Sequence, residues 1–429
     1  MASPRRELQV LALLATALGV VACTSDRSVT SPSGAARTAV VGGPAGRSLA
    51  LSPFLALTDI ETPRALVTFS GFSGLLGQPL SAEPTCAAGY SGTLLHQSHS
   101  CSIRGASVTG EARADLGSGI VGAASSVIIS PLGGLHLNAG EVVTFLATAG
   151  DWYRLSFTPL NATATPSSVA VWATIDGTID TKFGTWPGSP SRFGFTHGSR
   201  ADLIMSLGLT SIPLTWVSQG SVQVRLDDVD TFGGATLARS GYTNFLTVAD
   251  GGAAMRNGLA VSPITPLSGD MLVALTLISQ SFFLNQTPFD FTYFGATDDI
   301  DFLNTSRLAS VQVFDSDGTD ISPFVAVRVD GGRYLPTGGV HPPETAISQL
   351  LTAVLALAPH PFQTPLATLL RNALRSMESG RSPAACGPLR AFVSQLNAGS
   401  ERELAAGTAH AWVAQAEHIQ RTLDCAREG

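Results

Sequence analysis

The sequence predicts a mainly β protein, an antiparallel β-sandwich or jelly roll, followed by a small C-terminal α-helical bundle. Three observations carry this expectation. Between residues 60 and 335, apolar and β-branched residues recur at period two or in short continuous runs, broken by Gly-Gly and Asp-Gly turns. No helical segments alternate with these runs, which argues against a parallel sheet. After Pro342-Pro343 the pattern changes to Ala and Leu at helical spacing. The chain therefore divides into a leader at 1–22, a linker at 23–55, a β-sandwich region at 56–340 (one large or two smaller sandwiches) and a helical module at 344–425.

The leader opens with Arg5 and Arg6, and Leu8 to Val21 is almost unbroken apolar sequence. That run is too short for an ordinary membrane-spanning helix and fits an export signal. It ends in Val20-Val21-Ala22-Cys23, which resembles the lipobox of bacterial lipoproteins. The resemblance implies cleavage before Cys23, lipid on Cys23 and attachment to a membrane; a plain signal peptide with an incidental cysteine is the alternative. Thr24, not Asp, follows the cysteine, so by the same resemblance the expected address is the bacterial outer membrane, on its periplasmic or surface side. Thr24 to about Leu51 is rich in Ser, Gly, Ala and Pro, the composition of a flexible tether.

Strands are expected at Ser126–Ser130, Val142–Ala147, Trp152–Phe157, Ser168–Ile175, Ser221–Leu226, Met271–Ile278, Phe289–Phe294, Val311–Phe314 and Phe324–Val329. In Ser221–Leu226, Val222, Val224 and Leu226 share one face, as half-buried strands require. Four helices follow. Ile347, Leu350, Leu351, Val354 and Leu355 form one apolar stripe, and Leu366, Leu369, Leu370 and Leu374 a second. The third helix is expected to start at Ser382 as N-cap with Pro383 at its first position. The fourth is expected to open at a capping box, Ser400-Glu401-Arg402-Glu403.

Composition narrows the function classes. Only 13% of the 429 residues are charged, while Gly (44) and Pro (25) are plentiful, which suits a turn-rich exported β protein. The net charge of −7 and the lack of a basic stripe argue against a nucleic-acid partner. With Cys23 lipidated, Cys86, Cys101, Cys386 and Cys425 remain, and four cysteines allow three pairings. Cys86–Cys101 with Cys386–Cys425 is favoured because each pair lies inside one expected domain. Cys86, His96, His99 and Cys101 form a competing zinc ligand set, although the spacing matches no known zinc module.

Enzyme signatures are missing: there is no G-x-S-x-G elbow, no H-E-x-x-H, no Walker loop and no dinucleotide fingerprint. Three acidic clusters remain, at Asp227, Asp228 and Asp230 after a strand, at Asp298, Asp299 and Asp301 before one, and at Asp315, Asp317 and Asp320 in a turn. The last is half of a calcium loop around Gly318, so Ca2+ is a candidate cofactor; a hairpin whose Asp residues favour the turn is the plainer reading. A glycosidase carboxylate pair among these residues would be visible only in space. Trp186, in Gly184-Thr185-Trp186-Pro187-Gly188, is the candidate for stacking on a sugar, whereas Trp152, Tyr153, Trp172 and Trp216 fit core positions better.

Two further resemblances sharpen the outline. Thr297 to Gly318, with Asp301-Phe302, Thr305 and Asp317-Gly318, looks like the closing strands of a secreted β-sandwich type common among exported proteins with PEP-CTERM sorting tails. Gly105 to Leu116 and Ala170 to Asp176 look like its opening strands. The PEP tail is missing here, and lipid at Cys23 would replace it as the anchor. The segment Leu389…Phe392-Val393…Leu404…Ala409…Trp412…Ala416…Ile419…Leu423-Asp424-Cys425 resembles FIMAH-type helical modules, which end exported, often carbohydrate-active or surface proteins. The combined expectation is a lipid-anchored, non-enzymatic envelope protein whose sandwich makes binding or structural contacts, with cell-surface or extracellular polysaccharide as the candidate partner. The alternative is a carbohydrate-active enzyme using carboxylates borne on the sandwich.

Overall fold

The computed structural model describes residues 65–425 except 76–80, 83, 116–118, 131–132, 176, 183–194, 210–214, 229–237, 240–245, 251–253, 257–258, 286–289, 294–296, 330–331, 340, 358–359 and 400–403. Eleven principal strands are labelled β1 (Ala65–Leu75), β2 (Leu94–Ile103), β3 (Ala106–Asp115), β4 (Ile120–Ile129), β5 (Glu141–Pro159), β6 (Ser168–Thr174), β7 (Phe195–Leu209), β8 (Thr215–Asp228), β9 (Met271–Asn285), β10 (Thr297–Phe314) and β11 (Val325–Val329). Four helices follow: α1 (Pro343–Leu355), α2 (Gln363–Glu378), α3 (Cys386–Gly399) and α4 (Ala406–Thr422). Among the described residues no helix is long and apolar enough to cross a membrane.

The strands form two antiparallel sheets. One runs in the order β8, β7, β9, β5, β1, with β11 extending the far half of β5. The other runs β6, β10, β4, β3, β2. Period-two alternation brings the sheets together. On β9, Met271, Val273, Leu275 and Leu277 are fully buried and belong to a cluster shared with Val121, Ala123 and Val127 of β4 in the opposite sheet. That single cluster of buried side chains spans both sheets. Polar groups in the interior pair across it, as burial demands: Ser125 Oγ and Ser279 Oγ are 2.6 Å apart.

Several strands are longer than the sequence suggests. The runs Val142–Ala147 and Trp152–Phe157 merge into β5, because Gly150 stays in register with Leu66 on one side and Thr276 on the other. Asp298, Asp299 and Asp301, expected to precede a strand, lie instead in the first third of β10. The pairing of β10 with β4 shifts register between Phe302 and Ser306. This irregularity needs Gly122, since a Cβ there would lie 1.6 Å from the Leu303 carbonyl oxygen. Of the expected strand Phe289–Phe294, Phe291–Tyr293 is described, paired with Leu135–Leu137.

The helices bury their own cluster, with Ile347, Leu366, Leu370, Leu389, Phe392, Trp412 and Ile419 at its centre. Two starts differ from expectation. A 3-10 turn at Ser382–Ala385 precedes α3, with Arg381 in the N-cap position, so Ser382 does not cap the helix. The described part of the fourth helix begins at Ala406, not Glu401, and the capping box Ser400–Glu403 lies outside the described residues. At ~1.5 Å per residue α3 and α4 come to ~21 and ~26 Å, close enough to run side by side. Phe324 packs against both clusters and joins the helices to the sandwich.

Candidate functional site

Both disulfides form as the domain argument favours. Cys86 bonds Cys101 with Cα atoms 5.2 Å apart, and Cys386 bonds Cys425 at 5.5 Å. The first takes both thiolates out of the zinc set: Cys86 and Cys101 form a cross-link, and His96 and His99 have other partners. His96 instead contacts Glu111, and the His99 ring stacks on Phe69 at 5.7 Å. The second ties the start of α3 to the turn after α4. Gly71 makes room for the first bridge: a Cβ there would sit 2.7 Å from Cys86 Cβ.

The acidic clusters are spread by strand geometry. On β10, Asp298 faces inward and accepts a 2.5 Å hydrogen bond from Ser199, while Asp299 and Asp301 face solvent. Asp227 and Asp228 are the last two residues of β8, and Asp230 lies outside the described residues. In the 315–320 loop, Asp315 Oδ1 accepts from the Asp317 and Thr319 amides, at 3.0 and 2.8 Å, which shapes a tight turn with Gly318 at φ 78°. Asp320 is engaged elsewhere, accepting from Gln312 Nε2 at 2.8 Å and from the Ser322 amide at 2.9 Å. Among the described residues no three His, Cys, Asp or Glu side chains gather as a metal site would need.

Trp152, Tyr153 and Trp172 are buried, with Trp172 packed against Ala170, Val261 and Ala309. Trp216 is the second residue of β8. Cys23 and Trp186 lie outside the described residues.

Two polar sites escaped the sequence reading. The first is Asp151 on β5, fully buried, with Oδ2 accepting from Tyr153 and no hydrogen bond to Oδ1 among the described residues. Burial pushes its pKa up to about 7; the Tyr153 bond opposes this, Asp115 adds to it and Arg333 opposes it. Its position was readable in principle, because period two puts residue 151 on the same face as Ala147, Ala149 and Leu155.

The second is a crevice between sandwich and helices, enclosing about 310 Å3 with its open mouth included. Ser310 of β10, Thr337, His341, Pro343 of α1, and Gln415 and His418 of α4 line it. The space open to a water centre is about 10 Å3, room for one water. Ser310 is 2% exposed and its Oγ has no hydrogen-bond partner among the described residues. His341 Nε2 is buried, with no hydrogen bond among the described residues, 3.9 Å from Asp320 Oδ2. The Thr337 amide donates to Gln415 Oε1 at 2.9 Å. His418 is held as neutral imidazole, its pKa pushed down to about 4 by burial first, then by the charges of Arg421 and Arg307. No sequence signal links these residues, which come from three separate stretches of chain. Comparison with family models, curated proteins and solved structures gave no match.

Proposed function

We propose that the chain is an exported cell-envelope protein, anchored by lipid on Cys23 at the outer membrane, whose sandwich makes binding or structural contacts and performs no catalysis. The observation that supports this reading best is the pair of disulfides, one in the sandwich and one in the helical module. Such bridges persist in oxidising compartments and are rare in the cytosol. The dispersal of Asp298, Asp299 and Asp301 over two faces of β10 favours contact over carboxylate catalysis, since a glycosidase pair must face a common cleft. Extracellular polysaccharide is the partner class proposed for the sandwich.

Palmitate labelling and membrane fractionation test the anchor. The wild type should take up label and sediment with membranes, and Cys23→Ser should do neither. Continued labelling of Cys23→Ser would refute the assignment.

A further inference from the structure

We propose that the seam between the sandwich and the helical module is a proton-sensitive latch, in which charging the His418 ring releases α4 from the sheets while both cores stay folded. The seam is thin. Phe324 packs against both clusters, Tyr334 meets the His410 ring at 5.5 Å, and the Thr337 amide donates across it to Gln415 Oε1. His418 stands three residues beyond Gln415, on the same side of α4, and both line the crevice. The ring therefore sits beside a polar tie that holds the two parts together.

Two features make a charge costly at this point. The crevice leaves about 10 Å3 open to a water centre, so a charged ring cannot be hydrated unless the walls part. No carboxylate lines it among the described residues. The charged groups on each side do not repair this. Arg307 on β10 and Arg421 on α4 add charge of the same sign, and Glu417, which acts on Arg421, is exposed. His341 across the crevice has its own acid, Asp320 Oδ2 at 3.9 Å, so its proton is matched there. Glu344 in the first turn of α1 and the His410 ring on α4 are exposed.

The ring titrates at about 4 with the seam closed and at 6.5 in water. Closure is thus unopposed above pH 6.5 and weakens as pH falls towards 4. At pH 4.5 the ratio of open to closed seam should be about fiftyfold its value at pH 7. The sandwich responds in the opposite sense, because Asp151, pushed up to about 7, favours the folded state in acid. Acid therefore acts on the junction before it acts on the sheets. This inference rests on the seam and does not depend on the lipid anchor.

The test is residue-resolved amide exchange by NMR on the full chain, with each rate corrected for the pH dependence of a free peptide. Two adjacent amides separate the possibilities. Thr337 is held by Gln415 of the helical module, whereas Gly338 is held by the Val311 carbonyl of the sandwich. Between pH 7 and 4.5 the protection of Thr337 should fall about fiftyfold, while Gly338, Leu275 on β9 and Leu370 on α2 keep theirs. His418→Gln, which stays neutral, should abolish the Thr337 response, and His136→Gln, at an exposed position outside the seam, should preserve it. The comparison of Thr337 with Gly338 in the wild type holds even if His418→Gln fails to fold. Thr337 protection that ignores pH, Thr337 and Gly338 falling together, or a full response in His418→Gln would overturn the proposal.

Discussion

Asp151 and Tyr153 lie two residues apart on the inward face of β5, and Tyr153 donates a 2.9 Å hydrogen bond to Asp151 Oδ2 inside the sandwich. Asp151 titrates at 3.8 in an unfolded chain and at about 7 in the folded one. Folding therefore takes up a proton between these values. The stabilisation is complete below pH 3.8 and is lost as pH rises through about 7, an effect of up to ~4 kcal/mol. Asp151→Asn, which keeps the shape and an acceptor for Tyr153, should match the wild type near pH 4 and exceed it at pH 8. Urea midpoints at the two pH values check this. Parallel pH profiles for the two proteins would show that the carboxyl is ionised in the core.

His418 acts with the opposite sign. Its folded pKa of about 4 lies below the ordinary 6.5, so between pH 6.5 and 4 the unfolded chain takes up a proton that the folded chain refuses. Stability contributed by the neutral ring is present above pH 6.5 and is lost as pH falls towards 4. An NMR titration of the His418 ring in the native protein should show its midpoint near 4. A midpoint near 6.5 would mean that water reaches the ring and that α4 does not close on β10 as described.

Gly122→Ala should be among the most damaging single substitutions in the chain. The new methyl would lie 1.6 Å from the Leu303 carbonyl oxygen, a backbone atom that cannot swing aside as a flexible side chain would. Relief requires moving β10 away from β4, with an overpacking cost of ~3 kcal/mol or more. Gly89→Ala makes a useful comparison, because its methyl would meet only Thr68 Cγ2, at 3.8 Å. Thermal midpoints should separate the two substitutions widely, and equal midpoints would remove the steric account of the β10 irregularity.

The fold class was legible because β-branched alternation and helical Leu spacing are local signals. The runs in β6, β9 and β11 needed only their own residues to declare themselves. What escaped depended on partners far away in sequence. Val142–Ala147 and Trp152–Phe157 read as two strands, but Leu66 and Thr276 on either side of Gly150 hold them in one. Asp298, Asp299 and Asp301 looked like one cluster, yet a strand sends neighbours to opposite faces. The Ser310 crevice draws on β10, the segment around His341, and α4, so no sequence window could contain it. The disulfides fell between these cases: chemistry limited the pairings to three, and domain boundaries favoured one.

Breaking the Cys386–Cys425 bridge should cost more than breaking Cys86–Cys101, because the chain closed by the first is longer. Sequence separations of 39 and 15 residues correspond to ~4 and ~3 kcal/mol of lost constraint on the unfolded chain. Paired Cys→Ala variants, compared by chemical denaturation, should follow that order. The reverse order would point to packing around Gly71 and Ile103, and not chain entropy, as the main contribution of the shorter bridge.

Removing residues 344–429 should leave a sandwich that still unfolds cooperatively. The β cluster and the helical cluster are separate, and each is built from its own elements. Between them run Phe324, which touches both clusters, Leu160 on the helical one, the Tyr334 and His410 rings at 5.5 Å, and the Thr337–Gln415 hydrogen bond. Uncovering two partly buried apolar side chains and one amide should cost a few kcal/mol, well short of what the shared interior of the two sheets contributes. The truncated protein should therefore melt in one sharp transition at a lower temperature and keep its Cys86–Cys101 bridge. A broad, non-cooperative melt would mean that α1 and α4 are part of the sandwich's own core.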